Sequence, residues 1–150
     1  MTGKRDLLRA EDDGWNAFHA ALGPVSPEQM EAPGYYPNGW SLKDLMAHIA
    51  SWQAEATNVL TQLRFNTYRK ADLDVDAMNQ RFYEANKDLP LPLVKAELWA
   101  ARTRMLTELN ALPEITPLAE EWFVESGAKH YDEHLPRLDE WVEELRSRLH

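Results

Sequence analysis

The 150-residue chain carries a formal net charge of −9 at pH 7, and 44% of its residues are hydrophobic, so residues 1–150 can form one domain with an ordinary core. The negative charge argues against nucleic acids and anionic membranes as partners, because both bind clustered Lys and Arg. Since the chain has no cysteine, it forms no disulfide or zinc–thiolate site, and thiol chemistry needs an external thiol. No secretory signal or membrane span is evident, and we expect a cytoplasmic protein.

The first half of the chain predicts two long helices. Apolar spacing indicates a helix over residues 7–22. Ser26 followed by Pro27 is typical of a short helical turn, and residues 32–39 read as a loop. Ser41 then caps the helix with the most regular apolar stripe in the chain.

The second half predicts two more helical regions. Asp74 or Asp76 can cap a helix that is interrupted by the prolines of residues 89–93 and resumes over residues 94–112. A last helix is expected from about Ser126 to Leu149. No segment shows the alternation of a half-buried strand. We therefore predict an all-α four-helix bundle with a long crossover between its second and third helices.

Two of the five histidines lie one helical turn apart in the stretch KHYDEHLP. On a helix, His130 and His134 leave from the same side, at the edge of the core. His48 has a similar border position on its own helix. Because border positions of neighbouring helices meet along a bundle seam, the three imidazoles are a candidate metal site. The alternative is that they are solvated or hydrogen-bonded border residues without a metal.

Three neutral imidazoles bind Zn²⁺, Ni²⁺, Fe²⁺ or Cu²⁺, and the pattern does not choose among them, although zinc and nickel are the metals we expect first. Three protein ligands leave at least one open position, which is typical of catalytic metal. Since a ligating imidazole must be neutral, metal affinity is expected to fall below about pH 6.

Further polar residues are candidates for catalysis. Asn79, Tyr83 and Asn86 share one helix face and could position a substrate or donate a proton, or could form hydrogen bonds at the edge of the core. Glu55 could orient an imidazole or act as a general base, or could be solvated. Glu133 is expected to point away from the histidines.

Three segments resemble a known superfamily. The stretch GWSLKDLMAHIASWQ at residues 39–53 resembles the second-helix motif of the DinB-like superfamily, Trp-Ser-x-x-Asp-x-x-x-His followed by Trp. KHYDEHLPRLDEW at residues 129–141 resembles its fourth-helix metal motif. Residues 74–106 are similar to the ClbS/DfsB and maleylpyruvate-isomerase-like branches, which include thiol S-transferases.

The resemblance implies a four-helix bundle in which His48, His130 and His134 bind a divalent metal. Superfamily members include transferases and isomerases that use bacillithiol, mycothiol or glutathione, and ClbS-like hydrolases that open a reactive cyclopropane. Mycothiol-dependent maleylpyruvate isomerases differ in having Glu at the position of His130 and in carrying a further C-terminal domain. Not all ClbS-like proteins retain a histidine at the position of His134. The presence of His134 in this chain therefore favours a resemblance to the metal-dependent members.

The expected activity is transfer of a low-molecular-weight thiol to an electrophilic small molecule, in detoxification or isomerisation. One alternative is a ClbS-like hydrolase of reactive metabolites, in which metal-bound water replaces the thiol. A second is a binding or sequestering protein without turnover. The expected partner is a small-molecule substrate, and the pattern is compatible with a homodimer.

Overall fold

The computed structural model describes residues 3–148, and the regular secondary structure in that range is helical. Four long helices of 19, 23, 21 and 20 residues, α1, α3, α5 and α7, form the bundle and confirm the predicted fold class. The predicted end of the last helix at Leu149 lies outside the described residues. The helices are α1 (Lys4–Leu22), α2 (Pro27–Met30), α3 (Leu42–Arg64), α4 (Val75–Asn86), α5 (Leu91–Ala111), α6 (Pro117–Ser126) and α7 (Ala128–Ser147).

Side-chain caps begin several helices where the sequence predicts them. The Oγ of Ser26 accepts a hydrogen bond from the backbone N–H of Gln29 and starts α2. Asp74, rather than Asp76, caps α4. The predicted proline interruption separates α4 from α5, so the long crossover between the second and third bundle helices contains a helix of its own.

The last helix predicted from about Ser126 corresponds to α7, which begins at Ala128, but α6 before it was not predicted from the sequence. Thr116 caps α6 by accepting a hydrogen bond from the N–H of Ala119 at 3.2 Å. At Gly127, where the chain turns between the two helices, an added Cβ would lie 2.9 Å from the carbonyl oxygen of Phe123. A ten-residue helix is too short for apolar spacing alone to reveal it, and burial of Ala119 and Phe123 stabilises it.

The long helices pack in two pairs. In the bundle, α3 packs mainly against α5 and α1 against α7, while α6 lies against both α3 and α7. The core is built from two apolar clusters, one that includes Trp15, Phe18 and Trp141 and another that includes Leu60 and Phe123. Within residues 3–148, no helix combines the length and apolar composition needed to cross a bilayer.

A buried polar network connects the four bundle helices. The carboxylate of Glu11, fully buried, accepts hydrogen bonds from the Arg102 guanidinium and from the Tyr131 hydroxyl. Gln53 on α3 is fully buried and donates its amide to the Tyr131 oxygen at 2.7 Å. The network fixes α7 against α1 and α3 next to His130.

Candidate metal centre

The three predicted histidines converge at the seam between α3 and α7. The Nε2 atoms of His48 and His130 lie 3.0 Å apart. One ring nitrogen of each of His48, His130 and His134 lies within 4.8 Å of the others. Two imidazole nitrogens bound to one cation at about 2.0–2.1 Å are about 2.9–3.4 Å apart at octahedral or tetrahedral angles. The His48 and His130 pair therefore already has the spacing of two ligands.

The start of α3 determines where His48 lies. The Oγ of Ser41 accepts a hydrogen bond from the backbone N–H of Asp44, and the Asp44 carboxylate accepts one from the N–H of Ser41. From this capped start, Leu45 and Ile49 are fully buried, which places His48 at the edge of the core.

On α7, the two histidines are more deeply buried than the helical pattern predicts. His130 is 8% exposed and His134 7% exposed, although both were expected at the border of the core. The loop before α3 contributes to this burial, because its aromatic side chains pack against His134 and His48. Tyr35 and Tyr36 contact His134, and the ring of Trp40 lies 5.1 Å from that of His48.

Burial keeps the three imidazoles neutral. It lowers the pKa of His48 to about 4, of His130 to about 3 and of His134 to about 4. The neighbouring histidines add a smaller lowering effect on the pKa of His48 and of His130. A neutral imidazole is the form that binds a metal, so protons compete with the metal only at a lower pH than the value near 6 expected from the sequence.

The second ring nitrogens differ in their partners. The Nδ1 of His134 lies 3.1 Å from the Oη of Tyr35 and 3.1 Å from the Oη of Tyr36, which orients the ring. The Nδ1 atoms of His48 and His130 are buried and have no hydrogen-bond partner among residues 3–148. The packing around these two rings therefore holds them in place.

This donor set fits a divalent cation. Three neutral nitrogens without a carboxylate suit ions such as Zn²⁺ or Ni²⁺. In addition, the two Nε2 atoms that face each other at 3.0 Å can share only one proton, and a cation between them would satisfy both lone pairs.

The contribution of Tyr35 and Tyr36 is not predicted from the sequence, in which residues 32–39 read only as a loop. Arg137 fixes this loop by donating to the carbonyl oxygens of Tyr35 and Gly34, at 2.6 and 3.0 Å. The signal in the sequence was two adjacent tyrosines shortly before the helix that carries a candidate ligand.

In the described part of the chain, two cavities large enough for a small molecule open onto the histidine cluster. Both are lined by His48, Asn79 and His134, and the larger also by His130. The larger, of about 740 Å³, is walled mainly by Trp52, Tyr68, Leu73, Val75, Leu118 and Trp122, with Lys70, Glu121, Glu125 and Glu133 also on its lining. The smaller, of about 390 Å³, is walled by Tyr36, Asn38, Trp40, Asp76, Gln80 and Tyr83.

The three polar residues predicted to share one face of α4 have different surroundings. The Oδ1 of Asn79 accepts a hydrogen bond from the indole N–H of Trp52 at 2.7 Å, which leaves the amide Nδ2 as the donor for a ligand. Tyr83 lines the smaller cavity but not the larger. Asn86 lines neither and donates its amide to a backbone carbonyl of its own helix.

The two glutamates considered from the sequence differ in their position relative to the cavities. Glu55 lies outside the walls of both cavities, and among residues 3–148 no hydrogen bond joins it to an imidazole. Glu133 does not point away from the site: it is exposed and lines the larger cavity. The reason is α6, which forms the opposite wall and extends the cavity along the flank of α7.

Comparisons with known proteins agree with this fold. The family model described as the mycothiol maleylpyruvate isomerase N-terminal domain matches residues 12–130, a range that contains His48 and His130. A crystal structure of an uncharacterised protein from Escherichia coli UTI89 has 18% sequence identity and a TM-score of 0.79, with 94% of this chain and 93% of that chain covered. The search of curated proteins finds no match.

Proposed function

Because the chain belongs to the family of the mycothiol maleylpyruvate isomerase N-terminal domain, we propose that it is a metal-dependent enzyme that transfers a low-molecular-weight thiol to an electrophilic small molecule. The observation that carries this proposal is the convergence of three buried, neutral imidazoles in the wall of a cavity of about 740 Å³. Cavities of this size bind small molecules. The proposal includes a cytoplasmic location, where such thiols are kept reduced.

The residues in and around the cluster have two roles, which are to bind the metal and to orient its ligands. His48, His130 and His134 would hold Zn²⁺ or Ni²⁺ and leave a position for a reactant. When bound there, such a cation would lower the pKa of a coordinating thiol and make the sulfur nucleophilic at neutral pH. Tyr35 and Tyr36 keep the ring of His134 in the orientation that presents its Nε2 to the cluster.

The rest of the cavity is suited to binding an organic substrate. Trp52 and Trp122 offer aromatic surface, and Asn79 offers an amide donor beside the cluster. Since the chain has no cysteine, the sulfur must arrive as a cosubstrate rather than as an enzyme thiol.

Conjugation of a thiol to monochlorobimane tests the proposal. In that reaction the sulfur bonds to the chloromethyl carbon, the carbon–chlorine bond breaks, chloride leaves with the electron pair, and the thiol proton passes to solvent. Mycothiol, bacillithiol and glutathione would be compared with a reaction that contains no thiol. We expect metal-dependent conjugation in the wild type and in His19→Ala, and its loss in His130→Ala. His19 is a suitable control because its Nδ1 lies 3.0 Å from the backbone oxygen of Trp15, on α1.

Three results would contradict thiol transfer. Equal rates of conjugation in His130→Ala and wild type would show that the histidine cluster takes no part in the reaction. Thiol-independent, metal-dependent opening of a cyclopropane-containing electrophile would instead identify a hydrolase. Stoichiometric retention of the electrophile without product would identify a sequestering protein.

A further inference from the structure

The histidine cluster lies where two cavities of different chemistry meet. His48, Asn79 and His134 belong to the walls of both, so a ligand in either cavity can reach the cluster. A reaction between two molecules needs such an arrangement, because each reactant must be held close to the same point.

The smaller cavity has mainly hydrogen-bonding walls. Its polar side chains are two phenols, two amides other than Asn79, and one carboxylate, contributed by Tyr36, Tyr83, Asn38, Gln80 and Asp76. Phenols, amides and a carboxylate together offer both donors and acceptors, which is what a hydroxyl-rich group requires.

Apart from its charged residues, the larger cavity is lined mainly by apolar side chains. Leu73 and Val75 come from the crossover and the start of α4, Leu118 and Trp122 from α6, and Trp52 from α3. A hydroxyl-rich group placed against these side chains would leave hydroxyls without partners, whereas an aromatic or aliphatic electrophile would bury apolar surface there.

We propose that the two cavities divide the reactants, with the hydroxyl-rich part of the thiol cosubstrate in the smaller cavity and the apolar electrophile in the larger. This assignment rests on the proposed thiol transfer. The sulfur and the electrophilic carbon then meet at the cluster, where the carbon–sulfur bond forms as the leaving group departs with its electron pair and the thiol proton passes to solvent.

Two reciprocal substitutions test the assignment. Gln80→Leu removes hydrogen bonding from the smaller cavity, and Leu118→Gln places an amide in the larger one, with little change in side-chain size in either case. Both positions lie outside the histidine cluster. Binding of mycothiol, and of dimethylbimane as an electrophile analogue without a leaving group, would be measured by calorimetry on metal-loaded protein. Metal content and urea unfolding would show that each variant is intact.

Gln80→Leu should weaken mycothiol binding about tenfold, the equivalent of one hydrogen bond, and leave dimethylbimane binding unchanged. Leu118→Gln should weaken dimethylbimane binding and leave mycothiol binding unchanged. Mutual exclusion of the two ligands, the reverse pattern, an equal effect on both ligands, or no effect of either variant would overturn the assignment. If both ligands bind as assigned but no conjugate forms, the proposed function fails and the assignment stands. If conjugation occurs without this division, the assignment alone fails.

Discussion

The Nε2 atoms of His48 and His130 lie 3.0 Å apart across the seam between α3 and α7, although 82 positions separate the two residues in the chain. Burial lowers the pKa of each ring, and the Nδ1 of each has no hydrogen-bond partner in the described part of the chain. Because the rings are neutral and their nitrogen lone pairs converge, the side chains need little rearrangement to bind a cation.

The tyrosines that contact His134 should strengthen metal binding. The double variant Tyr35→Phe/Tyr36→Phe leaves the Nδ1 of His134 without an acceptor, and we expect metal affinity to fall about 10–100-fold. Competition with a chromophoric chelator measures the change. Tyr83→Phe is the control, because Tyr83 lies in the smaller cavity without a hydrogen bond to a histidine in the described chain. Unchanged affinity in the double variant would show that the tyrosines do not orient the ligand.

The stability of the metal-free protein should depend on pH through the histidines. The pKa of His48 is lowered from 6.5 to about 4, and that of His130 from 6.5 to about 3. Between pH 6.5 and these lowered values, the unfolded chain therefore binds more protons than the folded protein. The free energy of unfolding should therefore fall as the pH drops from about 6.5 toward 4. Urea midpoints measured with chelator at several pH values test this. The variant His48→Gln/His130→Gln should lose less unfolding free energy than wild type over this pH range. An equal loss would show that the two histidines do not cause the pH dependence.

The buried carboxylate of Glu11 should be a major contributor to stability. Glu11→Gln leaves the Arg102 guanidinium, 12% exposed, without its main partner, and we expect a loss of about 3 kcal/mol. Asp12→Asn is the matched control, since Asp12 contacts the same arginine but is 60% exposed, and should cost less than about 1 kcal/mol. Urea unfolding measures both. Similar losses in the two variants would mean that burial of Glu11 does not matter.

Gly34 should be required by the loop that covers the cluster. Its φ of +123° disfavours other residues, and a Cβ would lie 2.7 Å from the ring of Trp141. Gly39 also has a positive φ, +91°, but an added Cβ has open space around it. We expect Gly34→Ala to be more destabilising than Gly39→Ala by about 1–3 kcal/mol, the cost of overpacking. Equal losses by urea unfolding would show that the contact with Trp141 relaxes freely.

Local patterns explain why much of the fold was predictable. The caps at Ser26 and Ser41 depend on side chains that act within three residues, and helical phase correctly brought His48 toward the pair on α7. The missed α6 carried the same kind of signal, since Thr116 stands before Pro117 as Ser26 stands before Pro27. Its short length hid the apolar spacing.

The loop contacts were not predictable from local patterns. Tyr35 reaches His134 because Arg137, more than 100 positions away, binds the carbonyl oxygens of Gly34 and Tyr35. Glu133 was misplaced for a related reason, because a cavity wall depends on α6 as well as on the helix that carries the residue. Such contacts depend on tertiary packing, which no periodicity within a single segment encodes.

Metal content of protein purified without an affinity tag tests the three-histidine site most directly. It would be measured by mass spectrometry after dialysis, for wild type, His48→Ala and the control His19→Ala, with thermal unfolding before and after chelation. Wild type and His19→Ala should retain one divalent metal per chain and lose thermal stability on chelation, by roughly 2.7 kcal/mol if free metal is a hundredfold above its dissociation constant. His48→Ala should stay folded, hold no metal and respond little to chelator. One metal per chain bound as tightly in His48→Ala as in wild type would contradict the site.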